Sequence, residues 1–244
     1  MRIRHGLAVA CAAALLAGGA SLATAETGGS AASSDWEGLV KVKSKRLDAV
    51  YLLPGADFRG YTKVMLDPTQ VAFNRNWMRD VNQRPLDLSR RINAEDAQQI
   101  AEQARTGFGD IFARAFKDAG YEIAGAPAAD VLRLSPRIVN MYINAPENLT
   151  TSLRTRVYTV DAGEATLVLE VRDSTTGALL GRAVDTRTAG DRGNFRLSIN
   201  VTSTVSNRAD FESLFDTWAR ICVKGLEELK AQSPVALAAR APKP

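Results

Sequence analysis

The sequence predicts an α+β fold: a mostly antiparallel sheet with two long amphipathic helices packed on one face. Three observations lead there. Between Asn93 and Gly120 the apolar residues Ala97, Ile100, Ala104, Phe108, Phe112 and Phe116 recur every three or four positions, which lines one side of an α-helix. A second stripe runs through Phe211, Leu214, Phe215, Trp218, Ile221, Cys222, Gly225, Leu226 and Leu229. The segments before and between the stripes are short, rich in β-branched and aromatic residues, and punctuated by Gly, Pro and Asp. Two apolar helix faces need a sheet face to cover, and the order strand, helix, several strands, helix supplies one.

At the N-terminus, Arg2 and Arg4 precede the apolar run GLAVACAAALLAGGASLA and the small residues Ala-Thr-Ala, the order of a secretory signal cleaved after Ala25. A lipid anchor needs a cysteine behind a Leu and two small residues. Leu16, Ala17 and Gly18 are followed instead by Gly19, and the apolar run before Cys11 is short. The expectation is an exported, periplasmic protein, favoured over one lipid-anchored in the outer membrane, with no transmembrane segment after cleavage. Residues 26–45 read as a flexible leader with Trp36 as a docking point, 46–231 as a single domain, and 232–244 as a disordered tail.

Within the domain, DAVYLLPGADF offers a strand halted by Pro54 and Gly55, and GYTKVMLDPTQVAF offers another with an edge or bulge at Pro68. From Asn74 to Ile92 no period is kept. That connection, with Arg75, Trp77, Arg79 and Arg84, is the candidate partner-binding loop, although a loop whose Trp77 merely packs against the sheet is the favoured reading. Glu95 and Asp96 follow Asn93 where a helix starts, so they read as capping groups rather than a catalytic pair. Gly120 stops that helix. DVLRLSPRIVNMYIN, EATLVLEVRD and GALLGRAVDTRT are strand-like, the last two joined as an antiparallel hairpin by a turn at Ser174 to Gly177. The Gly-rich AGDRGN has neither the lysine nor the following helix of a phosphate-binding loop and reads as a solvated turn.

Residue content narrows the chemistry. The one histidine, His5, and one of the two cysteines, Cys11, lie in the signal. A Ser/His/Asp or Cys/His nucleophile needs imidazole, and common zinc sites draw on clustered His and Cys. No catalytic residue, cofactor-binding residue, metal ligand or cofactor is therefore assigned. A formal net charge of +4 without a basic block interleaved with aromatics gives no support for nucleic acid as a partner. Cys222 lies near the centre of the final apolar stripe and reads as core.

Three stretches, YLLPGADFRGYTKVMLDPTQVAF, VRDSTTGALLGRAVDTR and FESLFDTWARICVKGLEEL, resemble a family of exported bacterial proteins, often lipoproteins, known as domain of unknown function 3313. The resemblance spans residues 45 to 231 and implies an envelope location without implying any catalytic residue. The chain departs from the lipoprotein members at Gly19. The functional expectation is a non-enzymatic envelope module that binds an unidentified envelope protein or component, by an open sheet face or the Asn74–Ile92 loop. The alternative is a carboxylate- or serine-dependent hydrolase or transferase, which would gather two or more acids, or a Ser/Lys pair, in one cleft.

Overall fold

In the computed structural model, which describes residues 38–83, 91–144, 157–159, 162–190, 200–202 and 204–236, the elements run β1 (Val40–Val42), β2 (Ala49–Leu52), β3 (Lys63–Leu66), β4 (Gln70–Phe73), α1 (Trp77–Gln83), α2 (Ala94–Asp118), β5 (Glu122–Ile123), β6 (Val131–Ile143), β7 (Val157–Thr159), β8 (Gly163–Asp173), β9 (Leu179–Ala189), β10 (Asn200–Thr202) and α3 (Thr204–Gln232). Eight strands form one sheet in the order β1-β2-β9-β8-β6-β3-β5, with β4 also on β6; β7 and β10 pair separately.

The fold is α+β, but the sheet is mixed. The path β1-β2-β9-β8-β6 is antiparallel, whereas β3 and β4 both run parallel to β6, and β5 parallel to β3. The reason is connectivity. The long helix α2 lies between β4 and β6, and a strand that returns through a crossover helix pairs parallel. The GYTKVMLDPTQVAF segment also makes two strands. β3 pairs Val131 to Leu134 and β4 pairs from Arg137 onward, so the break at Asp67-Pro68-Thr69 falls opposite Pro136, which has no N–H to offer.

Three helices are present among the described residues. In α2 the capping box is complete: Asn93 Oδ1 accepts from the Asp96 amide at 2.9 Å, and Asp96 Oδ2 accepts from the Asn93 amide at 3.0 Å. Its buried stripe Ile100, Ala104, Phe108, Phe112 and Phe116 falls on one side, and Gly120, at φ 89°, ends it. Phe108 meets Phe215 of α3 edge-on, with centroids 5.3 Å apart. Inward-facing Leu132, Leu134, Ile138, Leu167 and Leu169 join these rings in the core.

The opposite sheet face is polar and held by ion pairs. Glu170 of β8 meets Arg137, Arg172 and Arg182 at 2.9, 2.9 and 2.5 Å. Asp67 accepts from Arg133 at 2.9 Å and from the Ser135 hydroxyl. Burial would raise the Glu170 carboxyl, but hydrogen bonds from Arg172 and Arg182 outweigh it and hold it below its ordinary value. The β8–β9 hairpin turns as expected: Asp173 Oδ1 accepts from the Thr175 and Thr176 amides, and Gly177 takes φ 74°.

The folded part begins earlier than the sequence suggests. β1 lies inside the segment read as a leader, because the strand alternation of Val40 and Val42 with Lys41 and Lys43 directly follows a small, polar stretch. At the other end Val235 exchanges hydrogen bonds with Gly55 and Ala56, so chain order reaches into the segment read as a tail. The segment read as a signal and most of that read as a leader, residues 1–37, lie outside the described residues, as do 237–244 and most of the AGDRGN segment.

Candidate functional site

Seven strands side by side span about 29 Å at ~4.8 Å spacing, whereas two helices packed ~10 Å apart cover about 20 Å. In this sheet α2 lies over β3, β4 and β5, and α3 over β9, so the inner face of the β1–β2 edge extends past α3. The result is an apolar cleft of about 700 Å³. Half-buried Val42, Val50, Ile221, Gly225 and Leu229 face into it, with Leu132, Leu169 and Cys222 beneath. A Cβ placed on Gly225 would meet nothing within 4 Å, so the helix wall is bare there.

The rim is cationic. Lys43, Lys45 and Arg46, in the β1–β2 connection, are exposed at the mouth, and Arg46 reaches across to Glu228 of α3 at 2.9 Å. Behind the same connection lies a second, polar cleft of about 600 Å³, which shares Ser44, Lys45, Arg46 and Leu47 with the first. It gathers Asp48, Asp185, Arg187, Asp210 and Ser213. Asp185 is 3% exposed and accepts from Trp218 Nε1 at 2.8 Å, Arg187 Nε at 2.5 Å and the Asp48 amide at 3.1 Å. Asp48 in turn accepts from the Thr186 amide at 2.8 Å, and Ser44 Oγ accepts from the Arg46 and Leu47 amides. Among the described residues no group of three His, Cys, Asp or Glu side chains is placed to hold a metal ion.

Cys222 is a free, buried thiol. Desolvation by burial, with a smaller contribution from the negative charge of Asp185, pushes its pKa up to about 12. A thiol so placed is a poor nucleophile.

With this geometry in view, the comparisons can be stated. The chain matches, over residues 29–221, the family described as Protein of unknown function (DUF3313). The chain belongs to DUF3313. No curated protein matches it. Among solved structures it is similar to the PelC dodecamer of Paraburkholderia phytofirmans, at 15% identity and a TM-score of 0.36, covering 72% of this chain and 95% of that one. It is also similar to a DUF330 protein of Xanthomonas campestris, at 14% identity and a TM-score of 0.37, covering 74% of this chain and 91% of that one. Likeness at this level carries neither assembly nor ligand to the DUF3313 chain.

The residues expected to form a binding loop are not brought together. Trp77 opens α1, is 1% exposed, stacks on Phe73 with centroids 4.1 Å apart, and donates from Nε1 to the Ile143 carbonyl at 3.0 Å. It is a core residue, as the favoured packing reading had it, and what is corrected is the exposed, irregular connection, since Trp77–Gln83 is helical; the rings of Phe73 and Trp77, four positions apart, give α1 its anchor. Arg75 and Arg79 are exposed, Arg79 pairing with Asp80, and Arg84 lies outside the described residues. The sequence reading missed the cleft of this DUF3313 chain. Two signals pointed to it: a glycine within the last apolar stripe, and the run VKVKSKR, which sets Val40 and Val42 on one face of an edge strand and then clusters cations in the connection that follows.

Proposed function

We propose that this DUF3313 protein is an exported, non-enzymatic binding module of the cell envelope and that the apolar cleft beside α3 is its binding site. One observation carries the reading: the half-buried and buried carboxylates of the sheet are engaged in structural pairs, while an apolar concavity stays open among the described residues. Glu170, Asp67, Asp173 and Asp185 all accept from arginine, tyrosine, tryptophan or backbone donors, and the one thiol among the described residues, Cys222, is buried. An apolar pocket with a few polar groups at its mouth suits recognition of a ligand. Export is supported by the charge, apolar run and Ala-Thr-Ala of residues 1–25. No helix among the described residues is long and apolar enough to cross a membrane. Arg75 and Arg79, with Arg84, remain proposed contacts for an envelope partner.

The test is to purify the full chain and its Gly225→Leu variant from the envelope under native conditions and identify what each releases on denaturation. The binding reading expects a bound species in the wild type that is lost in the variant. Equal release from both, or none from either, overturns it. A second reading, a carboxylate-dependent hydrolase, is favoured by the gathering of Asp48, Asp185 and Asp210 in the polar cleft. Turnover of ester or glycoside substrates by the wild type, lost in Asp210→Asn, would support that reading instead.

A further inference from the structure

The apolar and polar clefts adjoin along α3 as a trough divided by the β1–β2 connection, whose Ser44, Lys45, Arg46 and Leu47 line both. The apolar half runs beside Ile221, Gly225 and Leu229, the polar half beside Asp210, Ser213 and Thr217, and the β1–β2 connection passes between them. A ligand that reaches from one half to the other would be apolar at one end and polar at the other. The volume of the apolar half, about 700 Å³, lies within the range of pockets that enclose small organic ligands, which is roughly 300–1,000 Å³. The dividing connection supplies the charge. Arg46 is already committed to Glu228, but Lys43 and Lys45 are exposed and form no ion pair with a described residue. Two lysines in the lining of an apolar slot, paired with no described residue, favour an anion beside them, on the side away from the Asp48, Asp185 and Asp210 carboxylates of the polar half, and their aliphatic stems extend the apolar wall.

We infer that the trough binds a single-chain anionic amphiphile, a fatty acyl chain seated between Gly225 and Val50 with its carboxylate or phosphate at Lys43 and Lys45. This rests on the reading of the cleft as a binding site and adds the class of ligand. Gly225 bares the α3 side of the slot. A Cβ there meets no atom within 4 Å, and a leucine would favour the helix over glycine. The bare position leaves room at the expense of helix propensity.

The experiment uses the full chain, with dansyl-labelled undecanoic acid as the fluorescent probe below its micellar concentration. Saturable binding is expected, reversed by palmitate and by lysophosphatidylglycerol, and much less by hexadecanol, which has the chain without the charge. The tighter of the first two competitors identifies a free fatty acid or a lysophospholipid as the source. Gly225→Leu should bind the probe at least about tenfold more weakly with an unchanged or higher melting temperature. Should that variant not fold, Val50→Phe, across the slot, gives the same reading. Lys43→Glu with Lys45→Glu should weaken palmitate but not hexadecanol. No saturable binding, equal binding by the folded cleft variants, or equal competition by hexadecanol overturns the inference. If the envelope-purified wild type releases a species that Gly225→Leu lacks and the acyl probes still fail, only the ligand class is wrong; if neither is seen, the binding site itself falls.

Discussion

On one flank of α3, Phe215 meets Phe108 edge-on at 5.3 Å and Trp218 stacks on Phe215 at 6.2 Å; on the other, Ile221, Gly225 and Leu229 face Val42 and Val50 across an open cleft of about 700 Å³. Both flanks are apolar and both belong to one helix. The first is closed because α2 brings a row of phenylalanines against it, and the second is open because no helix among the described residues covers the β1–β2 edge. Protein interiors pack to near-crystalline density, so an apolar surface left uncovered beside a fully packed one forgoes stability that a ligand can restore. Substitutions on the two flanks should therefore fail differently, the closed flank through folding and the open flank through binding.

The largest effect is expected on the closed flank. Phe112→Ala, at a ring 1% exposed between Phe108 and Phe116, should cost about 3–5 kcal/mol in denaturant unfolding. A loss below about 1 kcal/mol would mean that this flank is not packed as described. Next in size is the polar sheet face beneath both flanks. Glu170→Gln removes the charge that Arg182 meets at 2.5 Å, where both side chains are mostly buried, and should cost about 1–3 kcal/mol.

That substitution also carries a pH signature. Glu170 and Asp173 are held below their ordinary values, Glu170 by arginine hydrogen bonds that outweigh burial and Asp173 chiefly by the Thr176 amide. Stability from a lowered carboxyl is present above its unfolded value, about pH 4, and is lost as pH falls through the folded value. The melting temperature should thus be level near neutrality and fall below about pH 4, and Glu170→Gln should flatten the fall. An unaltered acid limb would remove Glu170 from that role.

Cys222 sits between the flanks, buried in the core yet lining the floor of the cleft. Its thiol, pushed up to about 12, should react with a maleimide far more slowly in the native chain than after denaturation, throughout the neutral range. Cys222→Ser should cost about 1–3 kcal/mol through a poorly paired hydroxyl, and Cys222→Ala less. Labelling at the denatured rate would show that the cleft floor is wet. The smallest effect belongs to the surface: Arg75→Ala with Arg79→Ala should change stability by no more than about 0.5 kcal/mol, since both side chains are exposed.

How much of this was legible follows from the range of each interaction. Helix stripes and caps are written within a few turns, and α2 with its Asn93–Asp96 box, the stripe through Trp218, and the Asp173 turn could all be read locally. Parallel pairing of β3 and β4 with β6 depends on where a helix of 25 residues returns the chain, which alternation does not encode. Trp77 looked like a loop residue because α1 spans seven residues, too short for a periodic stripe. The cleft was harder still, since it is made by what is absent over the β1–β2 edge. Gly225 and the Lys43–Lys45 alternation marked its walls, but only the sheet order placed them opposite one another.

The most direct test of the cleft is a titration of the full chain with palmitate, followed through the methyl resonances of its isoleucine, leucine and valine side chains. The account predicts that Val42, Val50, Ile221 and Leu229 shift together and saturate, while Ile100 and Ile138 on the closed flank stay in place. Shifts spread evenly over both flanks, or none at all, would contradict it.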